Sequence, residues 1–316
     1  MRAQERCFIL KVSIIIPMYN AEATIERMLQ SIQQQTYPCF TVLLIDDGST
    51  DGTKQQCQPF IQKDQRYKYH YQANGGVSSA RNYGLSLSRH PYIVFLDSDD
   101  KIEPDFLERM LQPFRADDQI DFVACSFDRN DVSHLIDRKK LSAREVISDL
   151  IEPDGPMGYS CNKMFKQSII KEHEIRFDES VHYGEDLLFC ITYLLNARKA
   201  QYHSEVLFHY IVHGKSKSAN LRDTKTLTHI DALEQIISLL ETNEVDQLII
   251  TKYLMVYYRI TLGYLFRHNL KLSNQNLEKF EQVIKKIDYS IIHNRFLEFK
   301  ILLGKLYIRW HKKIKS

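Results

Sequence analysis

No two cysteines stand at C-x-x-C spacing in this chain, and no histidine stands near them at zinc-ligand spacing. The six cysteines (Cys7, Cys39, Cys57, Cys125, Cys161, Cys190) are scattered, which excludes a disulfide framework and predicts reduced, mostly buried thiols in a cytoplasmic protein. Neither GxGxxG nor GxxxxGK[ST] occurs, which disfavours a dinucleotide-type Rossmann site and a P-loop. No stretch reaches 18 uncharged apolar residues. The nearest, around Leu248 to Phe266, contains Lys252 and Arg259, so no membrane span is expected. The opening MRAQERCFILKVSIIIPMY imitates a signal peptide, but Lys11 splits the apolar run and no small-residue cleavage site follows.

What is present is ordinary globular chemistry. The chain has 316 residues, 44% hydrophobic and 26% charged, enough for one large domain or two smaller ones. A net charge of +2 gives no global argument for a nucleic-acid partner. Residues 221–316, however, carry 16 basic against 10 acidic side chains, which leaves the first 220 residues net acidic. A basic tail on an acidic body predicts two functional parts.

From Val12 short apolar runs alternate with helical patterns: VSIII, then Ile25, Met28, Leu29 and Ile32 at helix spacing, then TVLLI and a polar helix ending near Lys63. YKYHY, the helical VSSARNYGLSLSR, YIVFL, a helix from Pro104 to Arg115 and the strand DFVACSF continue the series. Such alternation implies an α/β protein with a parallel sheet and helices on both faces, where ligands gather at the carboxyl ends of the strands. Further on come a helix from Ala143 to Ile151, the loop PDGPMG, a polar segment SCNKMFK, a helix opening at GED and a strand near VLFHYIV. After about Asn220 the pattern is wholly helical, so the domains are expected at 1–220 and 221–316.

The strand ends hold the unusual chemistry. Asp97, Asp99 and Asp100 place three carboxylates within four residues, and either a divalent cation or a solvated helix-capping turn accounts for them. Hard oxygen ligands suit Mn²⁺ or Mg²⁺. In IDDGSTD, Gly48 to Asp51 read as a turn and cap, with Ser49 or Thr50 as the capping residue, whereas Asp46 and Asp47 are placed to accept hydrogen bonds from a base or ribose. Tyr19, in PMYN, either stacks on a base or simply packs. NGG before a helix invites a phosphate-cradle reading, and Arg81 one turn on would pair with a phosphate or with a local aspartate. Glu185 and Asp186 either stabilise a helix start or supply a general base. His213, Lys215 and Lys217 form a basic loop that folds over a diphosphate or links domains.

Taken in order, VSIIIPMYNAEATIERMLQSIQQQTYPCFTVLLIDDGSTDGT, NGGVSSARNYGL, YIVFLDSDD and YGED resemble the inverting glycosyltransferases of family 2, over roughly residues 11–220. The resemblance implies a GT-A fold, a Rossmann-like nucleotide-binding sheet, followed here by an all-helical region. It also implies a nucleotide-sugar donor, most often a UDP-sugar, bound by strand-end residues that include Pro17, Tyr19, Asn20, Asp46 and Asp47, with Arg81 near the nucleotide. Asp97, Ser98, Asp99 and Asp100 would hold ribose and metal, and Asp186, with Glu185 beside it, would be the catalytic base. Many relatives have Tyr-Arg after the last core strand. Here Ile211 follows Tyr210, and His213 and Lys215 are the substitutes, with His213 also available to the metal. Asn162 and Lys163 match a polar element often found near the acceptor side.

From Arg295 to Ser316 seven basic residues face one acid, interleaved with Phe296, Phe299, Leu302, Leu303, Leu306, Tyr307 and Trp310. This is either an amphipathic helix for an anionic membrane surface or a helix docking on the catalytic domain or on a second copy in a homodimer. The leading expectation is a metal-dependent transferase acting on a saccharide, glycolipid or glycoprotein acceptor in surface polysaccharide or glycoconjugate assembly, in the cytoplasm or on the inner membrane face. A nucleotidyltransferase would share the aspartates and metal without needing Asp186. A non-catalytic sugar-nucleotide scaffold would need neither Asp186 nor the DSDD cluster.

Overall fold

The structure is a computed structural model, and it describes residues 10–129, 132–137, 139–152, 155–212 and 228–267, with 278, 281, 282, 285 and 286. The chain divides into two compact units, one of residues 1–180 and 185–213, the other of residues 181–184 and 214–316.

The first unit is built on a sheet of β3 (Tyr67–Gln72), β2 (Phe40–Asp47), β1 (Val12–Met18), β4 (Tyr92–Phe95), β9 (Lys163–Lys166), β6 (Ile120–Arg129), β10 (Lys199–Tyr210) and β5 (Lys101–Ile102) in that order, with β7 (Val132–His134) beside β6 and β8 (Lys140–Ser142) beside β10. Strands β1, β2, β3 and β4 pair in parallel, as do β6 and β10. Between them β9 runs antiparallel to both β4 and β6, and β5 runs antiparallel to β10. The sheet is therefore mixed, and the polar segment SCNKMFK supplies its central reversed strand. Two antiparallel steps restore direction, so β1, β2, β4, β6 and β10 all end on the same edge.

Every residue of β1 is buried, as expected of a strand covered on both faces. Its period-two alternation sorts its neighbours. Val12, Ile14 and Ile16 join the core formed with Ile25, Met28, Leu29 and Ile32 of α1 (Ile25–Gln33) and Leu107, Met110 and Leu111 of α4 (Phe106–Ala116). Ile15 faces the other way, onto α3 (Val77–Leu87), where a Cβ on Gly84 would lie 2.4 Å from the Ile15 Cγ2. Only glycine permits that approach of helix to strand. Helix α2 (Thr53–Lys63) opens at Gly52 with no side-chain cap, so neither Ser49 nor Thr50 caps it; Asp51 instead accepts the Thr53 amide at 3.0 Å.

Helix α7 (Glu185–Leu194) closes the first unit over an aromatic cluster in which Phe177 and Phe189 stack at 4.1 Å and Phe95 meets Phe165, Phe177 and Phe189 edge to face. In the second unit α8 (Thr228–Thr242) buries Leu233, Ile236, Ile237 and Leu240, and α9 (Gln247–Arg267) buries Ile250, Tyr253, Leu254 and Tyr257. Among the described residues no helix is long and apolar enough to cross a membrane. The basic stretch from Arg295 to Ser316 lies outside the described residues.

Candidate active site

Beyond β1 the chain turns sharply, with Asn20 at φ 49°. Asn20 ties this turn to the one after β2: its amide donates to Ser49 Oγ at 3.0 Å, and its Oδ1 accepts the Thr50 amide at 2.9 Å. Tyr19, 54% exposed, is left at the strand end, while Pro17 is buried within β1. Asp46 is buried and accepts from the Ser49 amide at 2.8 Å and from the Tyr69 hydroxyl. Asp47, also buried, accepts from Gln72 Nε2 and from the amides of Gly75 and Gly76, each at 2.8 Å. The two glycine amides that suggested a phosphate cradle thus grip an internal carboxylate. Gly48, at φ +79°, brings the β2 turn against the Asn74 backbone.

The centre of the site is Arg81, on α3. Its side chain is 4% exposed, and its guanidinium meets Asp97 Oδ1 at 3.0 Å, Asp186 Oδ1 at 2.9 Å and Glu185 Oε1 at 3.6 Å. Its Cζ lies 5.1 Å from the Phe177 ring centroid, a cation–π contact on the aromatic floor. Burial opposes its charge, yet Asp186, Asp97 and Glu185 outweigh burial and push the guanidinium further up. The contact to Asp186 is an ion pair without linear N–H alignment. One arginine thereby binds the end of β4 to the start of α7.

Asp186 is fixed through one oxygen. Arg81 and the Ser160 hydroxyl, at 2.8 Å, both engage Oδ1, and Oδ2 has no hydrogen-bond partner among the described residues. The side chain stays 21% exposed, so a solute can reach it.

Past β4, Asp97, Ser98 and Asp99 are half-buried, and Arg27 donates to the Asp99 carbonyl. Asp100 is fully buried. Its Oδ1 accepts the Ile211 amide at 2.9 Å, which ties the DSDD turn to the end of β10, and its Oδ2 has no partner among the described residues. Burial first, then Asp97 and Asp99, push the Asp100 carboxyl up to about 9. Ligand atoms of Asp97, Asp100 and Cys161 lie within 4.8 Å of one another. Burial, then Asp97, Asp100 and Asp186, push the Cys161 thiol well up. An orphaned buried carboxylate oxygen among acids fits a hard divalent cation completed by substrate oxygens and water, and not a thiolate-bound zinc.

Two expected groups, His213 and Lys215, lie outside the described residues. Lys163 makes no ion pair among the described residues: wholly buried on β9, it donates to Asn162 Oδ1 at 2.7 Å and to the Pro156 carbonyl at 2.9 Å, and burial lowers its pKa although Asp186 works the other way. Ser160, Cys161 and Phe177 were not singled out by sequence reasoning. Ser160 binds Asp186 across 26 residues, and no local pattern marks such a partner.

The sequence profile described as Glycosyl transferase family 2 matches residues 13–174. The chain is 31% identical to EpsH of Bacillus subtilis (strain 168) over 212 residues, 64% of this chain and 61% of EpsH, so it spans about three fifths of that relative's length. Its fold matches the crystal structure of S. aureus TarS 1–349 in complex with UDP-GlcNAc, at a TM-score of 0.77 and 18% identity over 97% of this chain and 92% of that one. It also matches the mannosyltransferase PcManGT from Pyrobaculum calidifontis, in complex with GDP-Man and Mn²⁺, at a TM-score of 0.56 and 16% identity over 96% and 88% of the two chains. The architecture is thus a GT-A fold, and with the family profile covering half of its length the chain belongs to glycosyl transferase family 2.

Proposed function

We propose that the chain is an inverting glycosyltransferase that moves a sugar from a UDP-sugar to a hydroxyl of a saccharide, glycolipid or glycoprotein acceptor in surface polysaccharide or glycoconjugate assembly, with residues 1–220 catalytic and 221–316 a helical domain for acceptor, membrane-surface or dimer contact. The observation that carries this reading is Asp186, anchored through Oδ1 by Arg81 and Ser160 with Oδ2 open, one guanidinium away from Asp97. A nucleotidyltransferase or a scaffold has no use for a carboxylate so prepared.

In this reading the nucleotide lies over the ends of β1 and β2, beside Tyr19 and the turns held by Asn20, Asp46 and Asp47. Asp97, Asp99 and Asp100 would hold Mn²⁺ or Mg²⁺, which supplies Lewis-acid stabilisation of charge on the departing diphosphate. Asp186 Oδ2 takes the proton of the acceptor hydroxyl as that oxygen bonds to the anomeric carbon. The bond from that carbon to the diphosphate oxygen breaks with its electron pair leaving on the diphosphate, so configuration inverts. Arg81 keeps Asp186 from rotating while the proton moves, and Glu185 adds a second acid to the same cation. His213 and Lys215, outside the described residues, would serve the donor diphosphate, and His213 would be a further ligand for the metal. The enzyme works in the cytoplasm or at the inner membrane face.

UDP-GlcNAc in TarS and GDP-Man with Mn²⁺ in PcManGT support a nucleotide-sugar donor with a divalent cation. The test is Asp186→Asn, an isosteric change at the base. Nucleotide binding is expected to persist while transfer falls by about 10²–10⁴-fold, the range of a general base, and NMR of the wild-type product should show the opposite anomeric configuration to the donor. Full activity in Asp186→Asn, or a retained configuration, would refute the mechanism.

A further inference from the structure

An ammonium taken out of water without a counter-ion destabilises a fold, and an apolar chain of the same length would pack in its place without that cost. Lys163 is such a group: wholly buried, it meets only neutral oxygens among the described residues. Its presence therefore points to a task other than stability.

The amine closes a loop. Lys163 Nζ donates to the Pro156 carbonyl at 2.9 Å and to Asn162 Oδ1 at 2.7 Å, while Asn162 Nδ2 donates to the same Pro156 carbonyl at 3.3 Å and to the Cys125 carbonyl of β6 at 2.8 Å. The segment 156–162 is thereby tied to the sheet at its end and gripped at its start. Directly after the gripped carbonyl, Met157 stands at φ 55°, a left-handed backbone that a Cβ makes unfavourable. This loop is also the seat of the proposed base. Ser160, buried within it, donates to Asp186 Oδ1 at 2.8 Å. The loop runs against the first turns of α7: a Cβ on Gly158 would lie 2.8 Å from Leu187 Cδ1, and the Cys190 thiol donates to the Tyr159 carbonyl at 3.9 Å.

Resting on the glycosyltransferase reading, we infer that Lys163 is a positioning residue for the transfer step: it keeps the strained 156–162 loop closed, so that Ser160 holds Asp186 Oδ1 and Oδ2 is left to the acceptor hydroxyl. Without the amine the Pro156 carbonyl keeps only the longer Asn162 bond, Met157 relaxes, and Ser160 releases the carboxylate to turn about Arg81. The loss falls on kcat rather than on KM, because the turns after β1 and β2 are held by their own bonds.

The test uses the full chain as wild type, Lys163→Met, Ser160→Ala, the double variant of these two, and Lys163→Met combined with Met157→Gly. Hydrolysis of UDP-GlcNAc and of UDP-glucose in Mn²⁺, with water as acceptor, is followed by release of UDP. UDP affinity is measured by calorimetry and stability by urea denaturation. Lys163→Met should be at least as stable as the wild type and bind UDP equally, while kcat falls about tenfold at constant KM, the size of one lost hydrogen bond to a charged group. Ser160→Ala should lose as much, and the double variant no more, since both act through one contact. Met157→Gly should recover part of the Lys163→Met loss, because glycine adopts a positive φ without strain. An unchanged kcat in Lys163→Met, additive losses in the double variant, or a Lys163→Met protein that does not fold overturns the inference.

A second readout needs no turnover. Cys161 lies buried in the loop, and Cys57 is buried on α2, outside it. Iodoacetamide labelling in EDTA, mapped by mass spectrometry, should modify Cys161 about tenfold faster relative to Cys57 in Lys163→Met than in the wild type, since Cys57 reports global unfolding and the loop opens locally. An equal ratio in the two proteins overturns the inference. The two readings fail separately. A raised ratio with no hydrolysis by any protein, the wild type included, upholds the clamp on Asp186 and removes the transferase reading, whereas hydrolysis that Lys163→Met leaves intact removes only the role of Lys163.

Discussion

Replacing Arg81 by alanine removes the guanidinium that, among the described residues, pairs with Asp97, Asp186 and Glu185. Breaking a buried ion pair from one side costs about 3–5 kcal/mol, because the remaining charge stays desolvated. Asp97 and Asp186 keep 30% and 21% of their side-chain exposure, so water relieves part of this cost and the lower end, about 3 kcal/mol, is expected. For a unit of this size that is a fall of roughly 6–12 °C in Tm. Arg81→Lys keeps the charge but cannot reach the carboxylates of β4 and α7 in the same fork, so it should recover only part. The assay is thermal and urea unfolding of both variants, with Asp97→Asn added to close a double-mutant cycle. Because the two residues touch, coupling of about 1–2 kcal/mol is expected. An Arg81→Ala protein within about 2 °C of the wild type, or strict additivity with Asp97→Asn, would show that the arginine does not hold the site together.

Asp121 is the structural counterpart away from the site: buried, it accepts from Arg198 Nε at 2.9 Å and Lys166 Nζ at 2.9 Å, and although burial works the other way these partners hold its carboxyl below its ordinary value. A depressed folded-state pKa means stability that is present above the unfolded value and lost as pH falls through the folded one. Asp121→Asn should therefore cost about 2–3 kcal/mol at pH 7, and the gap to the wild type in urea denaturation should close as pH drops below about 4. A gap that persists into acid would refute the assignment. Gly84→Ala places a methyl 2.4 Å from Ile15 Cγ2 and should cost about 1–3 kcal/mol of overpacking, with Ile15→Ala partly relieving it in the double variant. Unchanged stability in Gly84→Ala would mean that α3 and β1 are less tightly apposed than this structure has them.

Elements with a clean period were legible from the chain alone. Ile25, Met28, Leu29 and Ile32 announced α1 and all four are buried, and VSIII marked the strand covered on both faces. The reversed strand β9 was not legible, because Asn162 and Lys163 make SCNKMFK look like a solvated segment. Those two are buried because they bond each other, the Pro156 carbonyl in the preceding loop and, for Asn162, the Cys125 carbonyl 37 residues away. Within the site, the aspartate cluster, Arg81 and the Glu185–Asp186 pair could be named from type and position at strand and helix ends. Their connection could not. Arg81 lies 16 residues from Asp97, brought to it by the packing of α3 beside the end of β4, and Ser160 lies 26 from Asp186, which α7 carries to it. The same holds for Asp47, whose position suggested a ligand and whose oxygens are occupied by Gly75 and Gly76.

The central claim, that the strand-end carboxylates hold a divalent cation and with it a nucleoside diphosphate, is tested most directly by calorimetric titration. UDP, GDP and dTDP are titrated in Mn²⁺ and in EDTA, into the wild type and into Asp99→Ala. The account predicts that one nucleotide, UDP, binds in Mn²⁺, and that binding weakens at least about tenfold both in EDTA and in the variant, as expected when a charged metal contact is lost. Binding that is indifferent to EDTA and to Asp99→Ala, or no binding of any of the three, would contradict it.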